Sequence, residues 1–134
     1  MGIQLAKASL DIGIIVTDAE ASLAFYRDVL GMAYIDELHT AGGVMHRVQC
    51  GDSVVKLIVP RPGSNPLPAA PGGIRGAYGY RYFTITVTNL EEIVDACTAA
   101  GHTVAVPISE LRPGITVAIV ADPDGNWVEF LRLG

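Results

Sequence analysis

The chain has 134 residues, of which half are hydrophobic and 17% are charged, and its net charge is −5 at pH 7. A chain of this length buries roughly two-thirds of its unfolded surface, so we expect a single globular domain over 1–134. The acidic balance and the lack of a Lys/Arg cluster argue against nucleic acid or an anionic membrane as partners. No apolar run approaches the roughly 20 residues of a membrane helix, and the N-terminus lacks a signal-peptide pattern. We therefore expect a cytoplasmic protein, with Cys50 and Cys97 as free thiols.

The first half of the chain predicts a strand, a helix and two further strands. Their predicted bounds are 10–17, Ala19 to about Leu30, 44–50 and 53–60. The strands are indicated by alternating apolar residues and the helix by apolar residues at helical spacing. Asp18 is a natural N-cap for this helix and Gly31 a natural stop. His39 falls in a predicted loop.

The second half repeats this plan. Its predicted elements are a strand at 82–88, a helix from Leu90 to Ala100, a short strand at 103–106, and strands at 115–121 and 126–132. Asn89 would cap the helix and Gly101 would end it. Residues 60–79 hold five prolines and five glycines, which predicts a linker at about 61–79, either a plain connection or a lid. The predicted modules are therefore about 9–60 and about 80–133.

The two halves are also similar in sequence. The segment DIGIIVTD, which begins at Asp11, reads like YFTITVTN, which begins at Tyr82. Lys56 in the segment VKL corresponds to Glu129 in the segment VEF. These two residues are separated along the chain by nearly as many residues as Asp11 and Tyr82 are. Strand alternation places Lys56 and Glu129 opposite the residues that pack under the helices. Ionisable groups set among apolar residues are typical of a pocket. The predicted site therefore consists of the four residues that the repeat relates: Asp11, Lys56, Tyr82 and Glu129.

Two motifs carry a resemblance to a known family: ASLAFYRDVLGM at 21–32 and DPDGNWVEF at 122–130. They resemble the vicinal oxygen chelate superfamily, which includes glyoxalase I, bleomycin-resistance proteins and extradiol dioxygenases. The resemblance covers roughly Leu10 to Arg132. It implies an α+β fold of two tandem βαβββ modules that form an open, cupped mixed sheet around one cavity. It also implies a homodimer whose cavity binds a small organic molecule.

Metal-dependent members of this superfamily take four ligands, typically His, Glu or Gln, His and Glu, from the first and last strands of both modules. The matching residues here are Asp11, Lys56, Tyr82 and Glu129, and only Glu129 is a usual ligand. A protonated lysine has no lone pair and repels a cation. We therefore expect neither a metal nor another cofactor, with a metal-dependent lyase of the glyoxalase type as a second alternative.

Three roles are open for the four residues. Asp11, Lys56 and Glu129 would form an ion cluster in place of the metal. In a metal-independent lyase or isomerase, Lys56 and Tyr82 would stabilise an oxyanion, while Glu129 or Asp11 would act as the base. The alternative is a non-catalytic protein that binds a drug or metabolite, as bleomycin-resistance proteins do.

Three further residues are candidate ligand contacts. His46 and Arg47 alternate on a predicted strand, so one of them should face the cavity, and Arg47 there would favour a carboxylate ligand. Trp127 would contact the ligand or belong to the core. Together with Tyr78, Tyr80 and Tyr82, Trp127 would suit a flat or cationic organic molecule.

Overall fold

A computed structural model describes residues 1–134, which form two compact units, Met1–Pro66 and Leu67–Gly134. Each unit contains a strand, a helix and three further strands in that order. The predicted α+β fold of two tandem βαβββ modules is therefore confirmed. The boundary between the two units lies inside the predicted linker. The units are called module 1 and module 2 below.

Module 1 holds a four-stranded mixed sheet. Its elements are β1 (Ile12–Ile15), α1 (Ala19–Leu23), a π-helical continuation (Ala24–Val29), β2 (Ala33–Thr40), β3 (Gly43–Cys50) and β4 (Ser53–Pro60). The strand order is β1-β4-β3-β2, with β1 parallel to β4. The loop predicted around His39 is wrong, because this residue lies on β2. Nearly every residue of β2 is exposed, so this edge strand lacks the apolar alternation that a sequence pattern needs.

The helix of module 1 begins and ends where the sequence predicts. The side chain of Asp18 accepts hydrogen bonds from the backbone N–H groups of Glu20 and Ala21, as an N-cap does. Gly31 follows the helix with a φ of 77°, a conformation that favours glycine. The last turns widen to a π-helix, in which the Leu30 N–H donates to the Phe25 carbonyl.

Module 2 holds an equivalent sheet. Its elements are a 3₁₀ turn (Gly73–Arg75), β5 (Tyr82–Thr86), α2 (Leu90–Ala99), β6 (Val104–Arg112), β7 (Ile115–Ala121) and β8 (Trp127–Leu133). The strand order is β5-β8-β7-β6, with β5 parallel to β8. The short strand predicted at 103–106 is longer than expected, again an edge strand with mostly exposed residues. Asn89 precedes α2, but its side chain makes no capping hydrogen bond, and its amide group donates to Glu92.

Each sheet buries the face that packs under its helix. In module 1 this core contains Val48, Val55 and Leu57, which are at most 3% exposed. In module 2, Val128 and Phe130 are buried in the same way, as the predicted strand alternation requires. Burial also raises the pKa of the Cys97 thiol in α2 to about 11, so this thiol stays protonated at neutral pH. Neither helix combines the length and the apolar character that crossing a membrane demands.

Part of the predicted linker is packed against module 2. The Arg81 guanidinium donates from Nε to the Gly73 carbonyl and from Nη2 to the Ala70 carbonyl, both at 2.6 Å. Gly73 lies against the Trp127 ring so closely that an added Cβ would come within 2.3 Å of ring atoms. Residues 70–76, called the strap below, are therefore held in place by Arg81 and by contact with Trp127.

An ion pair joins β2 to β3 in module 1. The Arg47 guanidinium donates from Nε and Nη2 to the two carboxylate oxygens of Asp36, at 2.7 Å each. These residues are also direct cross-strand partners in the register. The hydrogen bonds from Arg47 hold the pKa of Asp36 below its ordinary value. The pair therefore fixes the direction of the Arg47 side chain.

Gly73→Ala is expected to destabilise the protein more than Gly51→Ala. The two glycines have φ values of 54° and 58°, so both alanines carry a similar backbone strain of about 1–2 kcal/mol. The added Cβ meets the Trp127 ring at Gly73 and open space at Gly51. Overpacking against the ring should lower the free energy of unfolding of the Gly73→Ala variant by a further ~1–3 kcal/mol. Urea denaturation of both variants measures this difference, and equal losses would show that the strap does not rest on Trp127.

Asp36→Asn is expected to lower the free energy of unfolding at neutral pH, because Arg47 loses its charged partner. The pKa of Asp36 is lowered in the folded state from an ordinary value of 3.8. The ion pair therefore stabilises the protein above that value, and its contribution is lost as pH falls through the folded-state pKa. The difference between wild type and variant should shrink towards zero in strong acid, as measured by denaturant unfolding across pH.

The matched control for this series is Asp28→Asn. Asp28 pairs with its sequence neighbour Arg27, and neighbouring residues can also pair in the unfolded chain. We expect Asp28→Asn to change the free energy of unfolding less than Asp36→Asn does at every pH. A difference between Asp36→Asn and wild type that does not change with pH would contradict the proposed role of the ion pair.

Candidate functional site

The internal repeat seen in the sequence is reproduced in the strand register of each module. In module 1, Gly13 of β1 pairs with Lys56 of β4. In module 2, Thr84 of β5 pairs with Glu129 of β8. Gly13 and Thr84 are equivalent positions of the aligned segments DIGIIVTD and YFTITVTN. Lys56 and Glu129 therefore occupy the same position, each in its own sheet.

Lys56 is half-buried on the sheet face that does not pack under the helix. Arg47 is its direct partner on β3, and directly opposed residues project from the same face of a sheet. Of the two candidates His46 and Arg47, it is thus Arg47 that lies beside Lys56. His46 lies on the opposite face, where its Nδ1 is 2.9 Å from the Tyr34 hydroxyl. His46 therefore does not lie on the Lys56 face, and its role as a ligand contact stays a prediction.

The predicted site residue Asp11 lies just before β1. Its Oδ1 accepts hydrogen bonds from Lys7 Nζ at 2.7 Å and from the Val54 N–H at 2.8 Å. The hydrogen bond from Lys7 is the largest cause of a lowered Asp11 pKa, and the charge of Lys56 contributes without contact. Lys56 itself forms no ion pair in module 1. The predicted pairing of Asp11 with Lys56 is thus replaced by pairing with Lys7.

Lys7 and Thr84 are the site neighbours that sequence reasoning missed. Lys7 lies four residues before Asp11, a spacing that predicts an ion pair when both residues lie on a helix. No helix is predicted here, so the sequence did not indicate the pair. The signal for Thr84 was the repeat itself, because Thr84 follows Tyr82 by two residues on the same strand face.

The corresponding face of module 2 carries Tyr82, Thr84, Trp127 and Glu129. Tyr82 pairs with Trp127 and Thr84 pairs with Glu129, so all four side chains project from one face. Thr84 Oγ1 donates to Glu129 Oε1 at 2.7 Å, which orients the half-buried carboxylate. Trp127 is half-buried under the strap, whereas Tyr82 is 46% exposed. The predicted residues Tyr82, Trp127 and Glu129 are thus neighbours within this module.

Tyr82 also borders a concavity of about 490 Å³ that lies entirely in module 2. The other lining residues run from the strap to β5: Ile74, Ala77, Tyr78, Gly79, Tyr80 and Arg81. Tyr78 and Tyr80 are fully exposed. The concavity therefore offers aromatic surface next to the Glu129 face.

The donor set does not fit the divalent metal of the metal-dependent vicinal oxygen chelate proteins. No three His, Cys, Asp or Glu side chains are grouped so that they could hold a metal ion. The charged Lys56 has no lone pair to offer, and Oδ1 of Asp11 already accepts two hydrogen bonds. Glu129 alone retains the chemistry of a usual ligand.

Comparison with known proteins agrees with this fold. The uncharacterized protein YwbC of Bacillus subtilis (strain 168) is 28% identical over 133 residues, which is 96% of this chain and 99% of YwbC. The crystal structure of lactoylglutathione lyase from Agrobacterium tumefaciens superposes with a TM-score of 0.66 at 25% identity, over 93% of this chain and 92% of the lyase. TnmS3, an antibiotic binding protein from Streptomyces sp. CB03234, superposes with a TM-score of 0.70 at 18% identity, over 98% and 100% of the two chains.

The family itself is matched over residues 9–130, nearly the whole chain. This match includes both sequence motifs, nearly all of both βαβββ modules and all four repeat-related positions. The resemblance drawn from the motifs is therefore confirmed, and the chain belongs to the Glyoxalase/Bleomycin resistance protein/Dioxygenase superfamily.

Proposed function

We propose that this protein binds a small organic molecule on the Glu129 face of module 2 and releases it chemically unchanged. One observation carries the proposal: Tyr82 and Trp127 lie on the same sheet face as a carboxylate that is oriented by Thr84. Aromatic rings supply apolar contact area, and an oriented carboxylate supplies one directional acceptor. This combination is typical of a small-molecule site.

The free oxygen of Glu129 indicates what the ligand must offer. Thr84 donates to Oε1, and no side chain of module 2 donates to Oε2. A ligand hydroxyl, amide N–H or amine would fill this position with a charge-assisted hydrogen bond, which is stronger than a neutral one. We therefore expect a flat, largely apolar molecule with at least one hydrogen-bond donor.

The strap supports the proposal because it fixes one wall of the site in advance. Arg81 holds the strap by two short hydrogen bonds, and the strap in turn covers part of the Trp127 ring. Small-molecule sites are usually preformed, since ordering them on binding costs free energy. A fixed Trp127 would contribute apolar contact at little entropic cost.

Binding is favoured over chemistry by the state of the carboxylates. Asp11, a predicted base, has a lowered pKa because Lys7 donates to it, and a lowered pKa makes a weak base. Within module 2 no second ionisable side chain hydrogen-bonds to Glu129, so no acid–base pair is assembled there. The antibiotic-binding relative shows that this fold can carry a binding function, and fold alone does not specify chemistry.

A second candidate is a metal-independent lyase or isomerase, and the position of Tyr82 on the same face of module 2 as Glu129 favours it. Tyr82 would supply a proton and Glu129 would act as the base. A base that removes a C–H proton exchanges it with solvent, so an enzyme would deuterate its ligand in D₂O. We expect ¹H NMR of bound ligands in D₂O to show neither exchange nor a new product.

Trp127 is the single tryptophan, so its fluorescence reports directly on the proposed site. Titration with a library of flat organic molecules is expected to give saturable changes for ligands that carry a donor. Glu129→Gln should weaken their binding about tenfold or more, because a charged acceptor is lost. Glu110→Gln, on an exposed position of β6, is the matched control and should bind as wild type does. Ligands whose affinity is indifferent to Glu129→Gln would contradict the proposal.

A further inference from the structure

Four side-chain positions form one straight row across the whole sheet of module 1. Gly13 on β1 pairs with Lys56 on β4, Lys56 pairs with Arg47 on β3, and Arg47 pairs with Asp36 on β2. Directly opposed residues share a face, so all four lie on the face away from the helix. Two positive charges are therefore neighbours at the centre of this row.

The carboxylates near the row are already occupied by other donors. Both oxygens of Asp36 accept from Arg47. Oδ1 of Asp11 accepts from Lys7 and from the Val54 N–H. The ammonium of Lys56 and the Nη1 group of Arg47 keep donors that no carboxylate of module 1 takes up.

The charges of this cluster do not cancel. Lys7, Arg47 and Lys56 are positive, whereas Asp11 and Asp36 are negative, which leaves one positive charge. The side chains are close enough to interact, since the charge of Asp11 raises the pKa of Arg47 and the charge of Lys56 lowers that of Asp11. The net charge of this cluster is therefore positive, although the net charge of the whole chain is −5 at pH 7.

Space for an anion exists beside Lys56. Gly13 is exposed, and a Cβ at this position would meet nothing within 4 Å. A small group can therefore lie against the backbone of β1 next to the ammonium. Any larger residue at position 13 would occupy part of that space.

We propose that module 1 carries a binding site for an organic monocarboxylate, formed by Lys56 and Arg47 beside Gly13. A monoanion matches the single excess positive charge, whereas a phosphate dianion would exceed it and would be repelled more strongly by Asp11. Lys56 donates to the carboxylate, and Arg47 is held in position by Asp36. The inference stands apart from the function proposed above, since it concerns residues of the other module.

The protein offers a direct test, because Lys7 and Lys56 are its only lysines. Selective ¹⁵N labelling of lysine side chains gives two ammonium signals, and the Lys56→Met variant assigns them. The probes are acetate and benzoate, with acetamide, chloride and inorganic phosphate added at equal ionic strength. We expect saturable shifts of the Lys56 signal with the carboxylates, much weaker shifts with phosphate or chloride, and none with acetamide.

Two variants complete the test. Lys56→Met should weaken carboxylate binding roughly tenfold or more, as seen from the backbone amide of Gly13, whereas Lys56→Arg should retain most of it. Gly13→Val should weaken binding through loss of space while both lysine signals remain. Backbone amide spectra establish that each variant is folded. Equal shifts of the Lys7 and Lys56 signals, or tighter binding of phosphate than of acetate, would overturn the proposal.

Discussion

The parallel pairing of the first and last strands in each module is the constraint on which the candidate site depends. It sets Lys56 opposite Gly13 in module 1 and Glu129 opposite Thr84 in module 2. A shift of one residue in either register would turn these side chains towards the buried face under the helix. The buried faces specify the register, because Leu57 and Phe130 are at most 2% exposed. The hydrophobic core thus determines which polar residues face outwards.

The polar groups on these faces are held by neighbours in their own modules. Asp11 accepts from Lys7, Asp36 from Arg47 and Glu129 from Thr84. These contacts orient each carboxylate. Oε2 of Glu129 in module 2 and the ammonium of Lys56 in module 1 keep hydrogen-bonding capacity that no side chain of their own module takes up. The two modules therefore share one architecture but present opposite chemistry, an ammonium in one and a carboxylate in the other. The difference in charge lies at one repeat-related position, which holds Lys56 in module 1 and Glu129 in module 2.

Most of the fold was predictable because apolar periodicity and helix-end residues act locally. Asp18 and Gly31 bound the first helix as expected, and β7 has its predicted bounds. The exposed edge strand β2 was not predictable, since it contributes little to the core and shows no apolar alternation. The partners of Asp11 could not be predicted either. Whether Asp11 pairs with Lys7 or with Lys56 depends on the direction of the Asp11 side chain just before β1. The periodicity of apolar residues does not determine that direction.

The residues at the metal-ligand positions of this superfamily, Asp11, Lys56, Tyr82 and Glu129, do not form a donor set that suits a divalent metal. Metal content of purified protein, together with melting scans against Ni²⁺, Zn²⁺, Mn²⁺, Co²⁺ and Fe²⁺, tests this most directly. We predict substoichiometric metal and an unchanged melting temperature with every ion. Stoichiometric metal, or a rise of several degrees with one ion at modest excess, would contradict it, because a ligand stabilises the folded state to which it binds.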